Sequence, residues 1–257
     1  RPGEPADQPA VANDVPAEQG ISQPTESDVQ QEPELTLRDQ EWATDIHYFQ
    51  QKIAEKHIDP FFRLPQEEFD RQIEELIEQV PELDDIEIIL SLQKIAAQLG
   101  DTHTRVSVFS YLTDYPYNFY VNSDGSLYLY QCSYVDDDMK MSVIDYYQIV
   151  QINGVDIQYI LDQLEMLSSR ASNQYISGTE FIFGLISRET LQFIGIPCYQ
   201  QADTFTLLDG QGRTFNIDLV PGEEEMSLNA LVDEDHRREG ELVPTPSGML
   251  PINLDWV

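Results

Sequence analysis

A carboxylate, two hydroxyls and an imidazole follow one another in Gly100-Asp101-Thr102-His103-Thr104. Imidazole is the side chain whose ordinary pKa lets it take and return a proton near neutrality, so His103 is the first candidate for chemistry. Three readings of this run stand open from the residues alone. His103 is a loop or capping histidine without chemistry, or it acts on a proton, or it joins Asp101 as one of two metal ligands. The remaining histidines, His47, His57 and His236, are scattered along the chain and complete no metal-ligand spacing, so no metal and no cofactor is expected. Asp101 reads as a brace for the loop or a cap for a turn.

No Gly-x-Ser-x-Gly nucleophile elbow occurs anywhere, and Ser168, Ser169 and Ser187, in polar helical contexts, read as surface serines. Cys132 and Cys198 sit in apolar, aromatic surroundings with no CxxC spacing. They read as two small buried residues, with a single bridge as the alternative.

The elements that must hold His103 follow from periodicity. Trp42, Ile46, Phe49 and Ile53 share one face of a helix over about Asp39 to Lys56, which breaks at Asp59-Pro60. Pro65 opens a second helix with Glu67 and Glu68 in its first turn, and Phe69, Ile73, Leu76 and Val80 form its apolar stripe. Asp84 or Asp85 caps a third, carrying Ile86, Ile89, Leu92, Ile95 and Leu99, and Gly100 ends it. Residues 38–104 are thus expected to be a small helical bundle that ends in the His103 motif.

From Arg105 the period changes to two, with Val106, Val108 and Ser110 alternating. Tyr117 to Val121 and Leu127 to Cys132 flank Asn122-Ser123-Asp124-Gly125 as a hairpin. Tyr147 to Ile152 reads as a strand, Asn153-Gly154 as a tight turn, and Val155-Asp156-Ile157 as the entry to a helix reaching about Leu167. Residues 173–194 contain helical stretches, and Thr204 to Leu208 and Thr214 to Leu219 pair across Asp209-Gly210-Gln211-Gly212. Tyr111, Tyr115, Tyr117, Tyr120, Tyr128, Tyr130 and Tyr134 read as half-buried rings on a sheet surface. Residues 105–221 are expected to be an α+β domain. Residues 1–37, rich in Pro, Ala, Gln, Glu and Asp, are expected to be a disordered acidic leader, and 222–257 an acidic, loop-like connector.

The formal net charge is −33 over 257 residues. Such a field repels phosphate backbones and anionic bilayers, so nucleic acid is not an expected partner. No run approaches the roughly 20 apolar residues of a membrane helix, so no membrane-spanning segment is expected. The sequence opens on Arg1-Pro2-Gly3-Glu4 rather than Met, which reads as a removed export signal or a trimmed domain border.

Two segments, in this order, resemble one family. Gly100-Asp101-Thr102-His103-Thr104 is similar to the Gly-Asp-x-His-Thr signature of the tail-specific and tricorn-like serine peptidases. Ile149-Val150-Gln151-Ile152-Asn153-Gly154-Val155-Asp156-Ile157, followed by a helix, is similar to the strand, Asn-Gly turn and helix of PDZ modules, which that family inserts after its helical domain. His57-Ile58-Asp59-Pro60-Phe61-Phe62 looks like the loop between the family's early helices. The resemblance implies that His103 is the general base for a serine nucleophile and that Thr102 is its hydroxyl partner. It also implies a protein or peptide substrate and a PDZ-like α+β domain over 105–221, while a removed export signal and a tether-like leader imply action outside the cell or tethered at its surface. The family carries its nucleophile, oxyanion hole and acidic residue in a separate domain after the PDZ module. This chain is accordingly expected to stop before that domain and to be inactive alone. The alternative is an extracellular peptide-binding or scaffold protein that reuses the architecture without catalysis.

Overall fold

A computed structural model describes residues 35–101, 103–122, 124–134, 141–169, 185–199, 201–224 and 226–237. The leader expected over 1–37 lies outside these residues up to position 34, as do Thr102, most of the helical stretch expected over 173–194, and everything after 237.

Helix α1 (Leu37–Lys56) starts two residues earlier than its apolar stripe suggested. The reason is a capping box, in which the Asp39 amide donates to the Thr36 hydroxyl (3.2 Å) and the Thr36 amide donates to Asp39 Oδ2 (3.0 Å). Helix α2 (Gln66–Gln79) follows Pro65, and α3 (Asp85–Gln98) is capped by Asp84 in a second reciprocal box with Glu87. Asp85 has another duty. Its Oδ1 accepts from Trp42 Nε1 (2.8 Å) and Arg38 Nε (2.9 Å), while Arg38 also donates to the carbonyls of Val80 and Leu83. One guanidinium therefore ties α1 to the end of α2 and the start of α3. Ile46, Phe69, Ile73, Leu76, Val80, Leu92, Ile95 and Leu99 form the core between these helices.

The second layer is an antiparallel sheet of β1 (Asn118–Val121), β2 (Leu127–Tyr134), β3 (Met141–Ile152), β4 (Val155–Asp156), β5 (Asp203–Leu208) and β6 (Thr214–Leu219). The strands run in the order β1-β2-β3-β5-β6, and β4 folds back on the end of β3. Helix α4 (Ile157–Leu164) follows β4, and α5 (Arg188–Phe193) precedes β5. Phe119, Leu129, Tyr147, Ile149, Phe205, Leu207 and Ile217 alternate inward and form the sheet core with Ile160 and Leu164. The chain is therefore an α+β fold.

The two cores share α3. Ile89 and Leu90 belong to the sheet core, while Ile88, Leu92, Ile95 and Leu99 belong to the helical one. Between them lies Gln93, 1% exposed, whose Nε2 donates to the Leu167 carbonyl and whose Oε1 accepts from the Val106 amide, each at 2.7 Å.

Several expectations are corrected here. Val106, Val108 and Ser110 form no strand, because the Val106 amide is taken by Gln93 rather than by a ladder partner, and Phe109–Tyr111 is a 3-10 turn. Ser168, Ser169 and Ser187 are buried rather than surface serines, at 7%, 8% and 0% exposure. Ser187 caps α5, its hydroxyl accepting from the Thr190 amide. Tyr115 and Tyr117 are not half-buried strand residues but buried ones that precede β1. The segment after 222 is not all loop. Gln131 of β2 accepts from the Leu228 amide and donates to the Met226 carbonyl. A short helix, α6 (Leu228–Leu231), and Val232 after it place Leu228 and Val232 in the sheet core.

Asn153-Gly154 forms the expected tight turn, with positive φ at both residues (51° and 78°), the backbone such a turn demands. The Asn153 side chain reaches further. It accepts from the Thr204 amide and donates to the Pro197 carbonyl and to Asp203.

Candidate active site

The end of α3 sets the site. Gly100 has φ +75°, a left-handed backbone that favours glycine. The chain then turns on Asp101. Its Oδ1 accepts from the His103 amide (3.1 Å), its Oδ2 accepts from the Thr104 hydroxyl (2.7 Å), and its carbonyl accepts from the Thr104 amide (3.2 Å). This is a side chain bonding its own backbone two residues on, which fixes the loop's path.

His57, at the end of α1, reaches the same carboxylate, with Nε2 at 3.3 Å from Asp101 Oδ2. Sequence reasoning had counted it among the scattered histidines. Nothing in the sequence signals this bond, because 44 residues separate the partners and only the folding of the helical layer brings them together. Among the described residues no group of three or more His, Cys, Asp or Glu side chains is disposed to hold a metal ion.

His103 stands at the surface, its side chain 94% exposed, with Nδ1 3.5 Å from Asp101 Oδ1. It borders an open cleft of about 730 Å³ whose walls include Phe49, Ile53, His57, Ile58 and Thr104. Among the described residues no serine, threonine or cysteine side chain hydrogen-bonds the His103 ring. The structure thus brings Asp101, His57, His103 and Thr104 together. The other hydroxyl and thiol candidates lie elsewhere. Ser187 is paired with Thr190, and Cys198 is a free thiol whose pKa burial pushes up to about 12, which keeps it protonated and unreactive at neutral pH.

The Asp101 carboxyl is held down to about 2, first by the His103 amide and then by the Thr104 hydroxyl, against the opposing pull of burial, with the two histidine rings adding less. A folded-state pKa below the ordinary carboxylate value of about 3.9 means that these bonds stabilise the loop above that pH. The stabilisation is lost as pH falls through about 2. The Asp101 carboxyl carbon is therefore expected to titrate near 2 by NMR, with protection of the His103 amide lost over the same range. A midpoint at the ordinary value would show that the loop is not held this way.

A scan against protein-family models finds no match, and no curated protein matches. Among solved structures, mature CPAF complexed with lactacystin is similar at 13% identity and a TM-score of 0.47, covering 72% of this chain and 36% of that one. CPAF is a chlamydial serine protease. Mature CPAF itself is similar at 12% identity and a TM-score of 0.46, with the same coverage. This chain spans about a third of the length of those solved chains.

Proposed function

We propose that this chain carries the histidine side of an exported serine endopeptidase of the tail-specific, tricorn-like kind, acting on proteins or peptides outside the cell or at its surface. His103 is the general base, Thr102 its hydroxyl partner, and the nucleophile is supplied from outside the described residues. The observation that carries this reading is the pairing at the cleft. One nitrogen of an exposed imidazole faces a carboxylate that is locked by three donors, which leaves the other nitrogen open to a hydroxyl. The sheet domain acts as a PDZ-like module that guides substrate. The run of β3, the Asn153-Gly154 turn, β4 and α4 supports this.

A second reading is favoured by the absence, among the described residues, of any hydroxyl on the His103 ring. In that reading the chain is a non-catalytic extracellular peptide-binding or scaffold protein. A fluorophosphonate probe applied to the protein purified from its source distinguishes the two. Covalent labelling blocked by a competing peptide is expected for the peptidase. No labelling, with peptide binding still seen by calorimetry, would replace it with the second reading.

A further inference from the structure

We infer that His57 is a positioning residue that holds the Asp101 carboxylate in the rotamer facing His103. The inference rests on the reading of His103 as base, and it is carried by the direction of the hydrogen bonds. The Asp59 amide donates to His57 Nδ1 at 3.2 Å. In the neutral ring Nδ1 is therefore the acceptor and the hydrogen sits on Nε2, which donates to Asp101 Oδ2. The His57 side chain is 17% exposed, and its own amide is anchored on the Ile53 carbonyl as the last bond of α1. The ring is held from both ends.

The three donors on Asp101 do different work. The His103 amide and the Thr104 hydroxyl lie two and three residues away, so they fix the carboxylate only within its own loop. His57 comes from another helix, so its bond sets where the loop, and with it the His103 ring, stands relative to the cleft wall formed by Phe49 and Ile53 of α1. Lys52, Lys56 and Asp59 line the same cleft, and none of them bonds Asp101. A carboxylate that orients a catalytic imidazole works through its angle as much as its charge. Behind metal-bound histidines, losing such supporting contacts typically lowers activity by about 10–100-fold, and an effect at the lower end of that range is expected here.

The test uses the full protein with His57→Leu, which fills the space without a donor, and His57→Gln, which returns an N–H at a similar reach. The first measurement needs no activity. Three-bond couplings across the Asp101 Cα–Cβ bond are expected to report one rotamer in the wild type and in His57→Gln, and averaged rotamers in His57→Leu. The second is kinetic. In His57→Leu, kcat on a peptide substrate is expected to fall about tenfold with KM within about twofold, and His57→Gln is expected to recover most of it. Unchanged couplings in His57→Leu overturn the inference whatever the activity. So does an unchanged kcat in an active protein. Responsive couplings in a protein with no peptidase activity uphold the brace and instead sink the peptidase reading. Equal thermal midpoints for the Leu variant and the wild type exclude loss of fold as the cause.

Discussion

Replacing Asp203 with alanine is expected to lower folding stability by about 3–5 kcal/mol, the range for removing one partner of a buried, hydrogen-bonded charge pair. Asp203 opens β5 and is fully buried. Its Oδ2 accepts from the Tyr115 hydroxyl (2.7 Å) and Arg188 Nε (2.9 Å), and its Oδ1 accepts from Asn153 Nδ2 (2.8 Å) and the Tyr199 amide (3.4 Å). Four segments meet on one carboxylate: the approach to β1, the β3–β4 turn, helix α5 and the loop before β5. Burial alone would raise its pKa, but the bonds from Tyr115, Asn153 and Arg188 outweigh it and hold the group below the usual carboxylate range. Because the folded pKa is lowered, this contribution is present above the ordinary carboxylate pKa and fades as pH falls below it. The Ala variant takes the Asp203 carboxylate away from the largely buried Arg188 guanidinium, whereas a double exchange of Asp203→Leu with Arg188→Met removes both charges and is expected to recover part of the loss. Urea denaturation at neutral pH reads both. A loss below about 1 kcal/mol in the single variant would mean that water already serves these donors.

How much of this was readable before folding depends on the range of the interaction. Trp42, Ile46, Phe69, Ile73 and Val80 announce their helices by period, and the Asp84-Asp85 pair announces a cap, because those signals lie within a few residues. Helix α3 was only half legible. Ile88 and Leu90 fall off the expected stripe because the helix is buried on two sides, and a single-face pattern cannot describe a helix shared by two cores. Val106 and Val108 alternate like a strand, yet a side-chain amide from α3 claims the backbone group that a neighbouring strand would have used. Ser168, Ser169 and Ser187 look polar in sequence yet are buried, and Ser187 is bridged to Asp114, far away along the chain. The candidate site divides the same way. The turn on Asp101 is local and was expected, while the bond from His57 crosses 44 residues and has no sequence signature.

If the proposed peptidase reading holds, exchange of His103 for alanine is expected to reduce kcat/KM on a peptide substrate by about a thousandfold while leaving the thermal midpoint unchanged, within the range that positioned general bases contribute. The two halves of this expectation have one cause. The ring is 94% exposed, so it fills no cavity and its removal opens none. What holds the loop is the His103 amide on Asp101, and alanine keeps that amide. The His103→Gln variant keeps a polar side chain of similar length but cannot take a proton at neutral pH, so it is expected to be as slow as alanine. If either variant retains more than about a tenth of the wild-type kcat/KM, His103 is not the base. If both lose activity only as the thermal midpoint falls, the ring is holding structure. Loss of rate in a protein that melts where the wild type does is the outcome that a base, and not a loop histidine, produces.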